Sequence, residues 1–158
     1  EIPLRLVGSE MCIRDRYSSV EAFGRDFEKI YNHIERITGV SPTLYRFPGG
    51  SSNTVSNVPM EKFIKYLNDR NITYYDWNAL SGDAEGKEFP ADEMIDRVLK
   101  GVDKYDVSVV LLHDTNALDV TVEMLPELIE ELRKLGADML PITRTSSVIQ
   151  HIDAGSVK

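Results

Sequence analysis

The feature that most constrains this chain is the apolar run Val109-Val110-Leu111-Leu112, which ends abruptly at His113. A run of this kind is typical of a parallel strand that is buried on both faces, with a polar residue at its carboxyl end. In parallel α/β proteins the chemistry takes place at that end of the strands. The run therefore predicts an α/β protein in which His113 lies at the functional edge of a sheet.

Two earlier strands are predicted to end in the same way. Thr43-Leu44-Tyr45 leads into Arg46, and Ile72-Thr73-Tyr74-Tyr75 leads into Asp76 and Trp77. An arginine, an aspartate and a histidine therefore follow three successive predicted strands. Because the carboxyl ends of parallel strands share one edge of a sheet, we expect these side chains to contribute to one site.

The remaining pattern alternates between helices and strands. Apolar residues at helical spacing predict helices over residues 18–38, 58–69, 90–102 and 122–135. Strands are predicted over residues 43–47, 72–76, 107–112 and 137–142, and a loop over residues 78–88. This alternation implies right-handed crossovers and a parallel sheet. The pattern alone allows either a barrel that lacks its first strands or an open, doubly wound sheet.

The first predicted helix has clear signals at its ends and along one face. Ser18 and Glu21 have the spacing of a capping box, and Gly39 follows as a stop signal. One apolar stripe runs along the helix: Val20, Phe23, Phe27, Ile30, Ile34 and Ile37. This spacing gives the helix one apolar face.

The composition excludes several classes of protein. The hydrophobic content of 42% and charged content of 28% are ordinary for a globular chain, and 158 residues fit one domain. The net charge of −8 argues against a nucleic-acid partner. No apolar run reaches the length of a membrane-spanning helix. Cys12 is the only cysteine, so a disulfide framework and a thiolate metal site are excluded.

Three short motifs resemble those of a known family. Arg46-Phe47-Pro48-Gly49, Asp76-Trp77 and Leu111-Leu112-His113 are similar to the third, fourth and fifth motifs of the polysaccharide deacetylases, carbohydrate esterase family 4. They occur in the family's order, and the resemblance covers roughly residues 17–152. It implies an incomplete, distorted (β/α) barrel whose first strands are missing. It also implies removal of acetyl groups from N-acetylated sugars of cell-wall glycan or chitin-like polymers, outside the cell or at its surface.

The resemblance assigns roles in catalysis to three residues. His113 is implied to be the general acid that protonates the leaving amine, a role that suits a side chain titrating near neutrality. Asp76 is implied to pair with that histidine, orienting its ring and stabilising its cation. Arg46 is implied to hold the family's catalytic aspartate through charge-assisted hydrogen bonds.

Three further residues are implied to contact the substrate. Gly49 stands where the family often has tyrosine, and its backbone N–H is sufficient to bind an oxyanion. Trp77 and Leu111 are implied to line the acetyl pocket and the sugar face. Buried apolar residues at strand ends are also ordinary core residues, so this alternative stays open for Leu111.

The family's first two motifs are not found in this chain. They supply two adjacent aspartates and two histidines, which bind a divalent metal, typically zinc, and provide the general base. No such residues lie before residue 17, and residues 1–16 match nothing in the family. We therefore expect residues 1–16 to be an unrelated, adaptor-like leader and residues 17–158 to be a partial catalytic domain. We expect no metal in this chain itself, which we predict to be inactive alone.

Two other functions remain open at this stage. One is a non-catalytic carbohydrate-binding module on the same fold, using Trp77 and the groove. The other is a small phosphate-binding α/β domain, suggested only by Gly49-Gly50-Ser51-Ser52 and weakened by the absence of a Walker-type lysine. Asp83 is interpreted as a loop or cap residue. His33 and His151 lack metal-ligand spacing with another histidine.

Overall fold

The computed structural model describes residues 10–114 and 119–157, with side-chain burial defined from residue 13 onward. Contacts divide the chain into two compact units. Unit 1 contains the described residues of Glu1–Asp76 and Thr143–Lys158, and unit 2 contains those of Trp77–Ile142. Within the described residues, no helix has both the length and the apolar character needed to cross a membrane.

From Val20 to Lys134 the helices and strands follow one another as the alternation predicts, with two additions in the described chain. The α-helices are α1 Glu10–Arg16, α2 Val20–Thr38, α3 Met60–Asn68, α4 Ala91–Val102 and α5 Asp119–Lys134. The strands are β1 Leu44–Tyr45, β2 Thr73–Tyr74, β3 Ala79–Leu80 and β4 Val110–Leu111, and a 3₁₀ turn covers Ala154–Ser156. The additions are α1, inside the predicted leader, and β3, inside the predicted loop.

Helix α2 begins one residue later than its capping pattern predicts. The residue at its N-cap is Ser19, whose hydroxyl accepts a hydrogen bond from the Ala22 N–H at 3.0 Å. The Ser18 hydroxyl instead donates to the Asp15 carbonyl of α1 at 2.7 Å. Gly39 ends the helix as predicted, because it adopts the left-handed conformation at a φ of 72° that glycine reaches without strain.

The apolar stripe of α2 is buried only in its first half. Phe23 and Phe27 are 0% and 6% exposed, whereas Ile30, Ile34 and Ile37 are 48%, 38% and 67% exposed. The apolar stripe therefore extends beyond the part of α2 that the core covers. The spacing of apolar residues shows which face of a helix is apolar, but not whether another element covers it.

The core of unit 1 is built largely from aromatic rings. Phe23 lies at the centre of this cluster, with ring centroids 5.1 Å from Phe63 and 5.8 Å from Phe47. Strands β1 and β2 pair in parallel, with Leu44 opposite Thr73 and Tyr45 opposite Tyr74. The parallel pairing that the alternation predicted is therefore confirmed in this unit.

Unit 1 also includes part of the predicted leader. Ile13 of α1 packs against the aromatic core, and Arg16 forms an ion pair with Asp26 at 2.6 Å. Tyr17, which follows directly, is fully buried. The assignment of residues 1–16 as an unrelated leader stays a prediction.

In unit 2, helix α4 packs against a second parallel pair of strands and α5 packs against α4. Strand β3 pairs with β4, with Ala79 opposite Val110 and Leu80 opposite Leu111. The buried residues of its core are Phe89, Met94, Ile95, Val98, Met124, Leu128 and Leu132. The prediction of a loop over residues 78–88 is wrong at its beginning, because backbone pairing with β4 makes a short strand there.

The last predicted strand, over residues 137–142, is not present. Met139 and Leu140 are 46% and 81% exposed, and no residue of this segment pairs in a sheet of the described chain. A strand needs a neighbour to bond its backbone groups, and the apolar pattern does not supply one. The α/β class is confirmed, while the barrel stays a prediction because each described sheet has two strands.

Candidate active site

The centre of the site is a histidine–aspartate pair in unit 2. The imidazole Nδ1 of His113 lies 2.8 Å from Oδ1 of Asp83. The backbone N–H of His113 donates to the other oxygen, Oδ2, of the same carboxylate at 2.7 Å. Asp83 therefore holds both the ring and the backbone of His113, directly after strand β4.

The turn that carries Asp83 is fixed by local contacts. Gly82 adopts a φ of 85°, and its carbonyl accepts a hydrogen bond from the Glu85 N–H at 3.1 Å. The Asp83 N–H donates to the Ser81 hydroxyl at 3.2 Å. Since Ser81 follows β3 directly, the strand and the turn together set the position of the carboxylate.

The carboxylate of Asp83 stays ionised despite its burial. Its side chain is only 3% exposed, and burial alone would raise its pKa. The hydrogen bonds from the His113 side chain and backbone outweigh that effect, and the net result is a lowered pKa for Asp83. An ionised carboxylate at this position is the partner that a histidine cation requires.

The pair also determines which imidazole nitrogen is available for chemistry. An ionised carboxylate only accepts hydrogen bonds, so Nδ1 of His113 is a donor to Asp83. The second nitrogen, Nε2, has no hydrogen-bond partner in the described part of the chain. The side chain of His113 is 30% exposed, and Nε2 is the ring nitrogen that Asp83 leaves available.

Asp76 does not have the role that the resemblance implied. It is fully buried in unit 1, where its Oδ1 accepts from the Ser51 N–H at 2.7 Å. Its Oδ2 accepts from the Ser51 hydroxyl at 2.5 Å and from the His151 N–H at 2.8 Å. The prediction that Asp76 pairs with His113 is wrong, because Asp83 is the carboxylate on that ring and Asp76 joins the segment after β1 to the tail.

Arg46 and Gly49 lie on the loop after β1. Arg46 is exposed and has no hydrogen-bond or ion-pair partner among the described residues. Gly49 is exposed with a φ of 78°, in a turn closed by the Gly50 N–H donating to the Phe47 carbonyl at 2.8 Å. The Tyr17 hydroxyl donates to the Pro48 carbonyl at 3.0 Å, and burial raises the pKa of Tyr17, so this donor keeps its proton.

Trp77 and Leu111 both lie in unit 2, the first before its sheet and the second within it. Trp77 is half-buried just before β3, and Leu111 is half-buried in β4 opposite Leu80. Leu111 therefore lies two residues before His113, on the strand that positions it. Their contact with a substrate stays a prediction.

The described part of the chain contains no cluster of three histidine, cysteine, aspartate or glutamate residues suited to hold a metal ion. Nδ1 of His33, on α2, lies 3.1 Å from Nη2 of Arg36. Nδ1 of His151 lies 2.9 Å from the Ser52 hydroxyl. The contact of the tail histidine with the loop after β1 was not predicted from the sequence.

Sequence reasoning missed Asp83 as a site residue. The turn Ser81-Gly82-Asp83 follows a strand of only two residues, which lacks a detectable apolar pattern. The available signal was a glycine and an aspartate placed after an apolar pair, which is equally typical of an ordinary turn.

Comparisons with known proteins find solved structures with a similar fold. No protein-family model matches the sequence, and no curated protein matches it significantly. Among solved structures, the catalytic domain of a peptidoglycan N-acetylglucosamine deacetylase from Eubacterium rectale is similar, with a TM-score of 0.82 and 35% identity. The match covers 89% of this chain and 64% of that one.

Two more distant structures have the same fold. A carbohydrate esterase family 4 esterase from Streptococcus mutans has a TM-score of 0.66 at 24% identity, covering 78% of this chain and 54% of that one. A polysaccharide deacetylase from Bacillus cereus has a TM-score of 0.67 at 18% identity, covering 87% and 66%.

The fold is therefore one that this chain shares with solved structures of polysaccharide deacetylases. More particularly, the resemblance to carbohydrate esterase family 4 that the three motifs predicted is confirmed over most of this chain. The chain spans less than two thirds of the length of the Eubacterium rectale catalytic domain.

Proposed function

We propose that this chain is part of a metal-dependent N-deacetylase that removes acetyl groups from N-acetylated glycans, of the cell-wall or chitin-like type. The observation that carries the proposal is the Asp83–His113 pair, which follows two parallel strands of a deacetylase-related fold. The pair has the composition that general acid catalysis requires, a histidine whose Nδ1 is bonded to a buried carboxylate.

The proposed role of His113 is to protonate the leaving amine. Cleavage of the amide bond expels a nitrogen that must gain a proton, and Nε2 is the atom of the ring that is placed to deliver it. Asp83 accepts from Nδ1 throughout, keeps the ring oriented and offsets the positive charge of the protonated ring. General acid catalysis of this kind contributes about 10²- to 10⁴-fold in rate.

The resemblance also implies a divalent metal, typically zinc, which activates the attacking water. The described residues offer no ligand set for it, so we derive no step through the metal from this chain. Two parts of the proposal rest on the resemblance: that the deacetylase depends on a metal, and that it is located outside the cell or at the cell surface.

The remaining site residues are proposed to bind the glycan. The exposed turn at Gly49 offers a backbone N–H without a side chain in the way. Trp77 provides a ring that suits stacking on a sugar, and Leu111 provides an apolar wall for the acetyl methyl group. Arg46 is proposed to hold an acidic residue that this chain does not supply.

The test joins residues 17–157 to the portion of the Eubacterium rectale deacetylase that the chain does not match. This joined protein is expected to release acetate from an N-acetylglucosamine oligomer. His113→Ala is expected to lower kcat about 10²- to 10⁴-fold with KM nearly unchanged, because the proton is delivered in the transition state. His33→Ala, at an exposed position of α2, is the matched control and should leave kcat unchanged.

Two outcomes would contradict the proposal. If the His113→Ala protein releases acetate at the unmodified rate, His113 is not the general acid. If the joined protein folds and binds the oligomer but releases no acetate, the chain is a carbohydrate-binding module and not an enzyme.

A further inference from the structure

A third residue contacts the Asp83 carboxylate. Thr121, in the first turn of α5, donates a hydrogen bond from its hydroxyl to Oδ2 of Asp83 at 3.2 Å. Thr121 is a buried polar residue, only 3% exposed. A buried hydroxyl needs a hydrogen-bond partner, and here that partner is the carboxylate that holds the histidine.

The two oxygens of Asp83 have different surroundings. Oδ2 accepts from the backbone N–H of His113 and from Thr121, whereas Oδ1 faces the imidazole Nδ1. Rotation about the last bond of an aspartate side chain is soft and nearly two-fold. Oδ2 therefore has two donors, one from the segment after β4 and one from α5. Together they fix the plane of the carboxylate, so that Oδ1 stays in contact with the imidazole ring.

The side chain of Thr121 is well suited to this contact. Its branched Cβ restricts χ1, so the hydroxyl is held in place at a small entropic cost. A serine at this position would keep the hydroxyl with more freedom, whereas valine would keep the shape without the donor.

We propose that Thr121 is a positioning residue, which sets the orientation of Asp83 and through it the imidazole of His113. The proposal rests on the function proposed above, since it assigns Thr121 to the machinery of the same reaction. Thr121 acts through Asp83 and does not contact the substrate.

The first test uses the chain itself and does not depend on activity. In nitrogen-15 NMR, the Nδ1–H of His113 is expected to give a resonance protected from exchange with water. Thr121→Val is expected to speed that exchange several-fold, while Thr121→Ser keeps most of the protection. Thr38→Val is the matched control, because the Thr38 hydroxyl bonds only within its own segment, to the Ile34 and Val40 carbonyls and to the Val40 N–H.

The second test measures turnover in the joined protein. Thr121→Val is expected to lower kcat about five-fold with KM unchanged, the effect of one hydrogen bond of about 1 kcal/mol. Thr121→Ser is expected to recover at least half of the lost rate. If valine disturbs folding, Thr121→Ala serves as the second variant lacking the hydroxyl.

Each result decides a separate question. The proposal is overturned if Thr121→Val leaves the exchange rate of the Nδ1–H unchanged, or if Thr121→Ser is as impaired as Thr121→Val. If the joined protein never releases acetate, the proposed function fails. The NMR comparison then still decides whether Thr121 holds Asp83.

Discussion

The carboxylate of Asp83 and the imidazole of His113 are in contact because two short strands are in register. Leu80 of β3 lies opposite Leu111 of β4, so the segments that follow both strands run side by side. Asp83 comes three residues after Leu80, and His113 two residues after Leu111. Two residues that are 30 positions apart in the sequence are thereby brought within a hydrogen-bond distance of 2.8 Å.

Asp83→Asn is expected to destabilise unit 2. The amide nitrogen of asparagine replaces one of the two carboxylate oxygens and cannot accept, so at least one of the three donors on Asp83 is left unpaired, at a cost of about 1–3 kcal/mol. Urea unfolding followed by the fluorescence of Trp77, the only tryptophan, measures this loss. Asp138→Asn, an exposed position in the same unit, is the control. Equal midpoints for the two variants would contradict the prediction.

The stabilising contribution of Asp83 should depend on pH. Its pKa is lower in the folded chain than its ordinary value of 3.8, so the contribution is fully present above that value. It should begin to fall as the pH drops below about 4 and vanish below the folded-state pKa. Unfolding free energies of the unmodified chain and of Asp83→Asn, measured from pH 6 to pH 2, should converge at the acidic end. Curves that stay parallel would show that folding does not lower the pKa of Asp83.

Ser51 and Asp76 should be energetically coupled. Ser51→Ala removes a hydroxyl that donates to Asp76 and accepts from the Ile152 N–H at 3.1 Å. Asp76→Asn disturbs the same network, and a double-mutant cycle should show a coupling of more than about 0.5 kcal/mol. Thermal or urea unfolding followed by circular dichroism provides the four values. Strict additivity would show that the buried network does not act as a unit.

Gly82 should tolerate alanine less well than Gly86. Both have positive φ values, 85° and 74°, so either substitution costs on the order of 1 kcal/mol in backbone strain. At Gly82 a Cβ would also lie 2.2 Å from Nη1 of Arg97, whereas nothing lies within 4 Å at Gly86. Moving Arg97 disrupts its ion pair with Glu85, at a further cost of about 0.2–1 kcal/mol.

A further substitution tests whether Arg97 causes the difference in stability between the two glycine variants. In an Arg97→Ala background, the difference in unfolding midpoint between Gly82→Ala and Gly86→Ala should shrink. If the difference is unchanged, the guanidinium is not its cause.

The two halves of the α2 stripe should respond differently to truncation. Phe23→Ala is expected to cost about 3–5 kcal/mol, since the ring is fully buried among other aromatic rings. Ile37→Ala is expected to change stability by no more than about 0.5 kcal/mol, because the side chain is 67% exposed. Far-ultraviolet circular dichroism against urea measures both. A large effect at Ile37 would mean that this face is covered in solution.

Much of the local structure of this protein follows from the sequence itself. Periodicity and turn residues predict α3 and α4 to within about two residues at each end, and the apolar run predicts β4 with His113 beyond it. These elements are predictable because each depends on neighbouring residues, through helical spacing, a proline near the first turn or a continuous apolar segment. The motifs around Arg46, Asp76 and His113 likewise lie at strand ends as expected.

Tertiary structure alone decides which of these residues are partners. Asp76 and Asp83 look alike in sequence, each following a predicted or observed strand, yet one bonds Ser51 and the other bonds His113. The choice depends on β3, a two-residue strand that exists because β4 supplies its hydrogen bonds. The same dependence explains the exposed half of α2 and the absent strand at residues 137–142. Burial and pairing need a partner from elsewhere in space, and a local pattern carries no information on whether that partner is there.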